Sequence, residues 1–469
     1  MRSITVTVLV MGPMAGLVHP QSTSLPQPGT KLPVAMDTVK PEPGAVGLRP
    51  WTPIGPAVAR SLAEITFINV VALGVNILAR DIRSPSPVTW WENIQGGWEW
   101  DPNDIRVNHL EHPWAGAAYF NSARANGLSF WGSAPMALTG SLMWELFGES
   151  KPPSTNDLLS TTLTGVGLGE PLRRLALIVV DEESSGLDRL WREFVVFIGN
   201  PGLGLSRLSR GQSWTRRENP PGRRPDAMRG EVAAGLRSFA GADGTERIRS
   251  PLVAMNVEYG DPFADGQGGP FSFFSAGMEI VTSSPDGLGS LNARGLLAGL
   301  GAGHQAATHM GGIFMDFDYR RDGVVEFAQH SFSVDWLTRT PVGGEFRLAT
   351  DLSAAGVPIL AVHDRYSKPL TGRRYDYGAG VGARAHAQLE HRGRRVLWAS
   401  GRAYWAPTLD GASETKAVQI ANVDARLPLI WNVALGASYE LYRQGSTYDT
   451  RQTEVERVSS FSLFLSTGQ

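Results

Sequence analysis

Two hydrophobic periods divide this chain, and they change over near its middle. Before about residue 206 the apolar residues come in blocks with helical spacing. After about residue 228 they alternate with polar ones. Alternation at every second position marks a half-buried strand, whereas spacing of three and four marks one face of a helix. In Ile313–Arg320, residues Ile313, Met315, Phe317 and Tyr319 face one way, and Asp316, Asp318 and Arg320 the other. In 431–442, Trp431, Val433, Leu435, Tyr439 and Leu441 oppose Asn432, Gly436, Ser438 and Glu440. Phe346, Leu348 and Leu352 oppose Arg347, Asp351 and Ser353, and Phe461, Leu463 and Leu465 behave alike. In Tyr375–Glu390, tyrosines and apolar residues oppose Asp376, Arg384, His386, Gln388 and Glu390.

Many of these segments exceed the usual strand length of soluble sheets and match what a tilted strand needs to cross a bilayer. Arg321-Asp322-Gly323 and Arg392-Gly393 read as tight turns. Tyr375, Tyr377, Trp405, Trp431 and Tyr439 lie near strand ends, where an interfacial aromatic girdle is expected. The pattern therefore predicts an α+β chain whose C-terminal part, residues 228–467, is an antiparallel transmembrane β-barrel of about 12 strands. Asp316, Asp318, Asp335, Arg347, Asp351, Arg384, His386, Asp424 and Arg426 fall on its polar face and are expected to line a charge-balanced, hydrated lumen. A soluble sandwich fits less well, because the apolar faces are uniformly lipid-compatible. Only helices and closed barrels satisfy their backbone in lipid, so an exported barrel belongs in a Gram-negative outer membrane.

Residues 57–205 read as a helical domain. Ala57–Arg80 is one helix. Its apolar stretch, Ile65–Ala79, is shorter than the roughly 20 residues of a membrane span and carries Asn69 and Asn76, so burial against other helices is expected. Pro113 marks the first turn of a second helix, stopped by Asn126-Gly127. Pro135 is expected to start another, ending near Phe147. Ser154, Thr155 and Asn156 offer caps for a helix carrying Gly165, Gly167 and Gly169, expected to break or kink at Pro171. Leu187–Ile198 makes a further helix, and Ser206–Arg229 a basic connector. Residues 1–20 are similar to a secretory signal peptide, and 21–56 form a Pro-rich linker that cannot bury enough apolar area to order itself.

Composition changes this picture only by exclusion. A net charge of −2 gives no electrostatic case for nucleic acid. The absence of cysteine removes disulfides, thiolate metal sites and thiol catalysis. A mean hydropathy of −0.14 is too low for a helical membrane protein but ordinary for a barrel with a polar interior.

The densest chemistry lies between Asn108 and Glu170: His112-Pro113, Gly116-Ala117, Tyr119-Phe120, Ala123-Arg124, Gly140-Ser141-Leu142, Trp144-Glu145, Glu149, Asn156-Asp157 and Gly169-Glu170. With Tyr259-Gly260-Asp261-Pro262-Phe263, this run resembles the bacterial domain-of-unknown-function family 3943 over roughly residues 85 to 270. The resemblance implies an exported protein with a helical segment followed by outer-membrane strands, and implies no chemistry.

His112, Arg124, Ser141, Glu145, Glu149, Asn156, Asp157 and Glu170 form the candidate polar cluster. Ser141, Glu145 and Glu149 recur every four residues and share a helical stripe. One reading is an envelope hydrolase or transferase acting on lipid or glycan through His112, Ser141 and a glutamate, although no Gly-x-Ser-x-Gly elbow is present. The other is a buried network that locks apolar helices, with Arg124 pairing Glu145 or Glu149 and His112 capping a helix. His109, Glu111 and His112 are one residue short of an inverted zinc motif, so no metal and no cofactor are expected. The expected function is an outer-membrane barrel of unspecified activity, either a plugged pore or a structural envelope component. Its helical segment is then periplasmic or inside the barrel. The partner is outer-membrane lipid, with a small-molecule or lipid ligand left open and no nucleic acid. Oligomeric state is not readable.

Overall fold

From Met228 onward the alternating pattern closes on itself. The computed structural model describes residues 54–80, 84–220, 223–241, 247–264, 269–300 and 309–468. The expected signal peptide and nearly all of the linker lie outside the described residues. Twelve strands follow one another: β1 (Met228–Gly241), β2 (Arg247–Tyr259), β3 (Phe274–Val281), β4 (Leu288–Leu300), β5 (His309–Arg321), β6 (Glu326–Gly343), β7 (Phe346–His363), β8 (Tyr375–His391), β9 (Arg394–Asp410), β10 (Thr415–Pro428), β11 (Val433–Thr447) and β12 (Glu454–Thr467). Each pairs antiparallel with the next, and β12 returns to β1 in a ladder from Val232↔Thr467 to Gly241↔Val458. No strand edge is left open, which is the condition for a sheet to stand in lipid.

Charge pairs identify the inner face. Arg320 on β5 pairs with Glu440 on β11, half a barrel away. Arg402 on β9 pairs with Asp318 on β5, Arg395 on β9 lies 3.0 Å from Glu258 on β2, and Arg229 on β1 lies 2.7 Å from Glu390 on β8. Strands that are not neighbours can meet only through the interior. The opposite parity is therefore external, and there Leu236, Val334, Leu352, Val381, Trp405, Val423, Leu441 and Leu463 are all exposed. Trp405, Trp431 and Tyr439 are exposed as a girdle requires. Trp431, however, sits in the β10–β11 turn at φ 49° rather than in a strand.

The helices are α1 (Ile54–Arg80), α2 (Pro87–Gln95), α3 (His112–Ala125), α4 (Phe130–Met143), α5 (Thr155–Val179), α6 (Gly186–Gly199) and α7 (Pro201–Ser209), with the short α8 (Ser367–Thr371) between β7 and β8. Single π-helical turns, Val107–Glu111 and Trp144–Gly148, precede α3 and follow α4. Two expectations are corrected here. α4 begins at Phe130, not Pro135, because Ser129 Oγ accepts the Gly132 N–H at 3.0 Å and caps it earlier. α5 continues through Pro171 unbroken. The proline forfeits one backbone hydrogen bond, but close packing against α3 holds the helix. At their crossing, a Cβ on Gly116 would stand 1.9 Å from the Thr161 carbonyl oxygen, and one on Gly165 would stand 2.5 Å from the Gly116 backbone. The backbones touch, and only glycine permits it.

α5 lies against the outside of the barrel. Leu168 packs with Phe317, Tyr319, Ala328, Ile359, Ala361, Tyr375 and Tyr377, and Val166 with Tyr259, Phe274 and Met315. These are outward positions. The helical segment is thus not inside the barrel, and no described helix residue lines the lumen. Tyr375 and Tyr377 are correspondingly sealed under helices rather than serving as a girdle. At one end of the wall Asn108, just before α3, donates to Tyr375 Oη at 2.9 Å; at the other Arg174 donates to the Pro270 carbonyl at 3.0 Å. With 25 residues, α5 is about 37 Å long.

α1 also departs from expectation. Ala57, Ser61, Ile65 and Asn69 form one buried stripe toward α3 and α4, while Phe67, Val70, Val71, Val75 and Leu78 stay exposed. It packs on one side only. α6 likewise exposes Leu187, Leu190, Trp191, Phe194 and Ile198, the apolar face of a strongly amphipathic helix.

Candidate functional site

The polar residues predicted as one cluster separate into three groups. The first surrounds Glu170 on α5. Arg124 of α3 approaches it bidentately, Nε to Oε2 at 2.9 Å and Nη2 to Oε1 at 3.2 Å. Arg174 Nε donates to Oε1 at 3.0 Å, and Arg173 stands 3.7 Å away. All four side chains are buried. Arg124 therefore pairs with Glu170 and not with Glu145 or Glu149. The reason is helical phase: Arg124 at the end of α3 meets the last third of α5, whereas the two glutamates stand beside its start.

The second group is where α3, the π-helical turn after α4 and the start of α5 converge. His112 on α3, Glu145 in the π-helical turn and Asp157 on α5 offer ligand atoms within 4.8 Å of one another. His112 Nε2 is 3.8 Å from Asp157 Oδ2. Glu145 Oε2 accepts the Ser154 N–H at 2.7 Å, and Asp157 Oδ1 accepts from Asn156 Nδ2 at 2.8 Å. Asn156 Oδ1 in turn accepts the Asp101 N–H at 2.8 Å. Glu145, Asn156 and Asp157 are fully buried. Glu149 lies past the helix end and accepts from Trp144 Nε1 at 2.9 Å, so the four-residue stripe with Ser141 and Glu145 stops at the π-helical turn. Ser141 Oγ is buried and makes no hydrogen bond to His112 or to any other described residue. The nucleophile–base contact that a serine hydrolase requires is not formed. His112 closes the preceding π-helical turn only through its backbone N–H, which donates to the Val107 carbonyl. It faces carboxylates.

The third group was missed. Asn108 donates to Tyr375 Oη at 2.9 Å and Tyr377 Oη at 3.3 Å, Ser160 Oγ donates to the Asn108 carbonyl at 2.6 Å, and Thr164 Oγ1 lies 2.8 Å from His330 Nδ1. The His109 and His330 rings stack at 5.9 Å. A signal for this was present in the sequence. His330 occupies the outward parity of β6 with Phe332, Val334 and Trp336, and a histidine facing bare lipid would be costly. Something had to cover it.

Inside the barrel, Arg294 reaches Asp351 at 2.8 Å, Asp316 at 3.3 Å and also Asp335. Arg384 reaches Asp316 at 3.0 Å and Asp335 at 3.3 Å. Arg426 bonds Asp424 at 2.7 Å and also Glu231. Asp318, Arg347 and His386 line the same cavity, of about 590 Å³.

Outside both regions, Glu182 in the α5–α6 connection bonds Arg207 at 2.8 Å and Arg189 at 3.3 Å. Burial acts to raise its carboxyl, but the Arg207 guanidinium, with Arg223 and Arg189, holds it below the ordinary carboxylate range.

Comparison with solved structures returns membrane barrels over about half of this chain. A NanC porin structure shares 9% identity, covering 50% of this chain and 98% of that one, at a TM-score of 0.27. The outer membrane channel DcaP of Acinetobacter baumannii shares 10%, covering 52% and 96%, at 0.23. The anion-selective porin from Comamonas acidovorans shares 7%, covering 52% and 99%, at 0.24. No curated protein matches the sequence. The family match is narrower than the resemblance read from the motifs: it takes in the π-helical turns and α3 to α6 but stops before Tyr259–Phe263. Residues 97–202, within the helical segment, match the model of the family described as Domain of unknown function (DUF3943).

Proposed function

We propose that this protein is an outer-membrane barrel with a closed lumen, a structural envelope component that holds an apolar helical domain in the bilayer against its outer wall. The observation that carries this reading is the set of charge pairs joining strands across the interior, Arg320–Glu440, Arg402–Asp318, Arg395–Glu258 and Arg229–Glu390. Four salt bridges span the lumen where an open channel would keep a wide aqueous path. The bilayer placement of the helices follows from their surfaces. α5 packs its buried face on the outer wall, and α1, α2 and α6 expose valine, leucine, phenylalanine and tryptophan. Such an area exceeds what a water-exposed domain leaves uncovered. Outer-membrane lipid is the partner this surface fits.

Planar-bilayer recording tests the closed lumen. The wild-type protein is expected to give no stable conductance steps, and an Arg402→Ala, Glu440→Ala double variant is expected to give them. Steady wild-type conductance would defeat the reading. The placement of α1 and α6 is tested separately by a photoactivatable lipid, which should label Val70, Val75 and Trp191.

A further inference from the structure

We propose that His112, Glu145 and Asp157 bind one divalent transition-metal cation, which ties α3, the turn after α4 and the start of α5 together. The argument begins with charge. Two fully buried carboxylates face each other, with Glu149 and Asp101 close behind them. Among the described residues no lysine or arginine pairs with Glu145 or Asp157. Buried carboxylates without a cationic partner are costly, and elsewhere in this protein buried acids have one: Glu170 has Arg124 and Arg174, and Asp335 has Arg294 and Arg384.

Hydrogen bonding points the same way. One oxygen of each carboxylate is satisfied, Glu145 Oε2 by the Ser154 N–H and Asp157 Oδ1 by Asn156. The other oxygen of each, Glu145 Oε1 and Asp157 Oδ2, is buried with no hydrogen-bond donor. Carboxylates held through one oxygen, with the second directed at a common point beside an imidazole nitrogen, form a ligand set with its outer shell in place. The spacing fits. Ligands on a tetrahedral zinc lie about 3.4 Å apart at ordinary bond lengths, and His112 Nε2 to Asp157 Oδ2 is 3.8 Å. One nitrogen and two carboxylate oxygens suit Zn²⁺, Mn²⁺ or Fe²⁺ better than Ca²⁺, which takes more ligands and all-oxygen sites. Two backbone features set the geometry. The π-helical turn rotates Glu145 inward, and the Ser154 cap starts α5 so that Asp157 faces it.

The test uses the full-length protein in detergent micelles. Elemental analysis of protein purified without chelator, and isothermal titration of chelator-stripped protein with Zn²⁺ and Mn²⁺, are expected to give one ion per chain. Asp157→Asn and Glu145→Gln, which keep shape and the hydrogen bonds to Asn156 and Ser154, should each weaken binding at least tenfold. His112→Gln should do so too and should abolish nitrogen hyperfine coupling to bound Mn²⁺. Stoichiometry below one ion in ten chains both as purified and after titration would overturn the proposal. So would binding that these variants leave unchanged. If a variant fails to show the heat-dependent gel shift of a folded barrel, the wild-type titration and its hyperfine spectrum still decide the matter.

Discussion

The lumen and the helix-covered outer wall bury comparable sets of charges but balance them differently. In the lumen, Arg294 and Arg384 interleave with Asp316, Asp335 and Asp351, Asp318 and Asp424 each meet an arginine, and Asp376 meets Lys416. On the outer wall the balance is local. Glu170 has too many arginines to need anything else, while Glu145 and Asp157, about three turns earlier on the same seam, have none. A balanced network explains itself as structure. An unbalanced one in a dry seam asks for a cation, and this separates the two regions more sharply than burial or composition does.

The comparison can be broken by experiment, beginning with the wall. Gly165→Leu drives a side chain into the Gly116 backbone and is expected to prevent the helical domain from docking while the barrel still forms. Proteolysis of residues 97–202 in a heat-modifiable barrel would show it. Glu170→Ala removes the buried carboxylate that Arg124 and Arg174 share, a loss of about 3–5 kcal/mol, measurable by denaturant unfolding. Val381→Arg on the bare wall should cost about 2–4 kcal/mol. Arg347→Lys, which keeps a charge at a lumenal position, is expected to show no measurable loss. Equal costs at the two positions would erase the distinction between the faces.

The smallest effect concerns pH. The Glu182 carboxyl is lowered when folded, so its contribution is full above the unfolded value of about 4.3 and fades as pH falls through the folded one. Acid titration followed by Trp191 and Trp214 fluorescence should show loosening of α6 only below that range, and Glu182→Gln should remove the pH dependence. An unchanged profile in the variant would assign it to other acids.

How much was legible follows from which interactions are local. The parity of Ile313–Arg320 or Phe461–Leu465 is written in single residues, since a strand side chain must go to one face or the other. Strand number and lumenal residues could therefore be read directly. The polar cluster could be located but not partitioned. Whether Arg124 meets Glu145 or Glu170 depends on the crossing of α3 and α5 at Gly116 and Gly165, and neither glycine states its partner. The π-helical turn at Trp144–Gly148 has no sequence mark, yet it carries Glu149 off the Ser141 stripe and turns Glu145 toward His112. Asp101 and His330, more than 200 residues apart, reach the seam only because one lies in the segment leading into α3 and the other beneath α5.

The sequence by itself thus determined the closed barrel, its two faces and the presence of an apolar helical domain, because alternation and helical spacing report burial one residue at a time. Tertiary structure alone decided that the helices lie on the outer wall instead of in the lumen. It also chose the partners of the buried acids and left Glu145 and Asp157 facing His112 without an arginine. Those outcomes depend on how helices pack against strands far away in the chain. The same apolar pattern would serve either side of the wall.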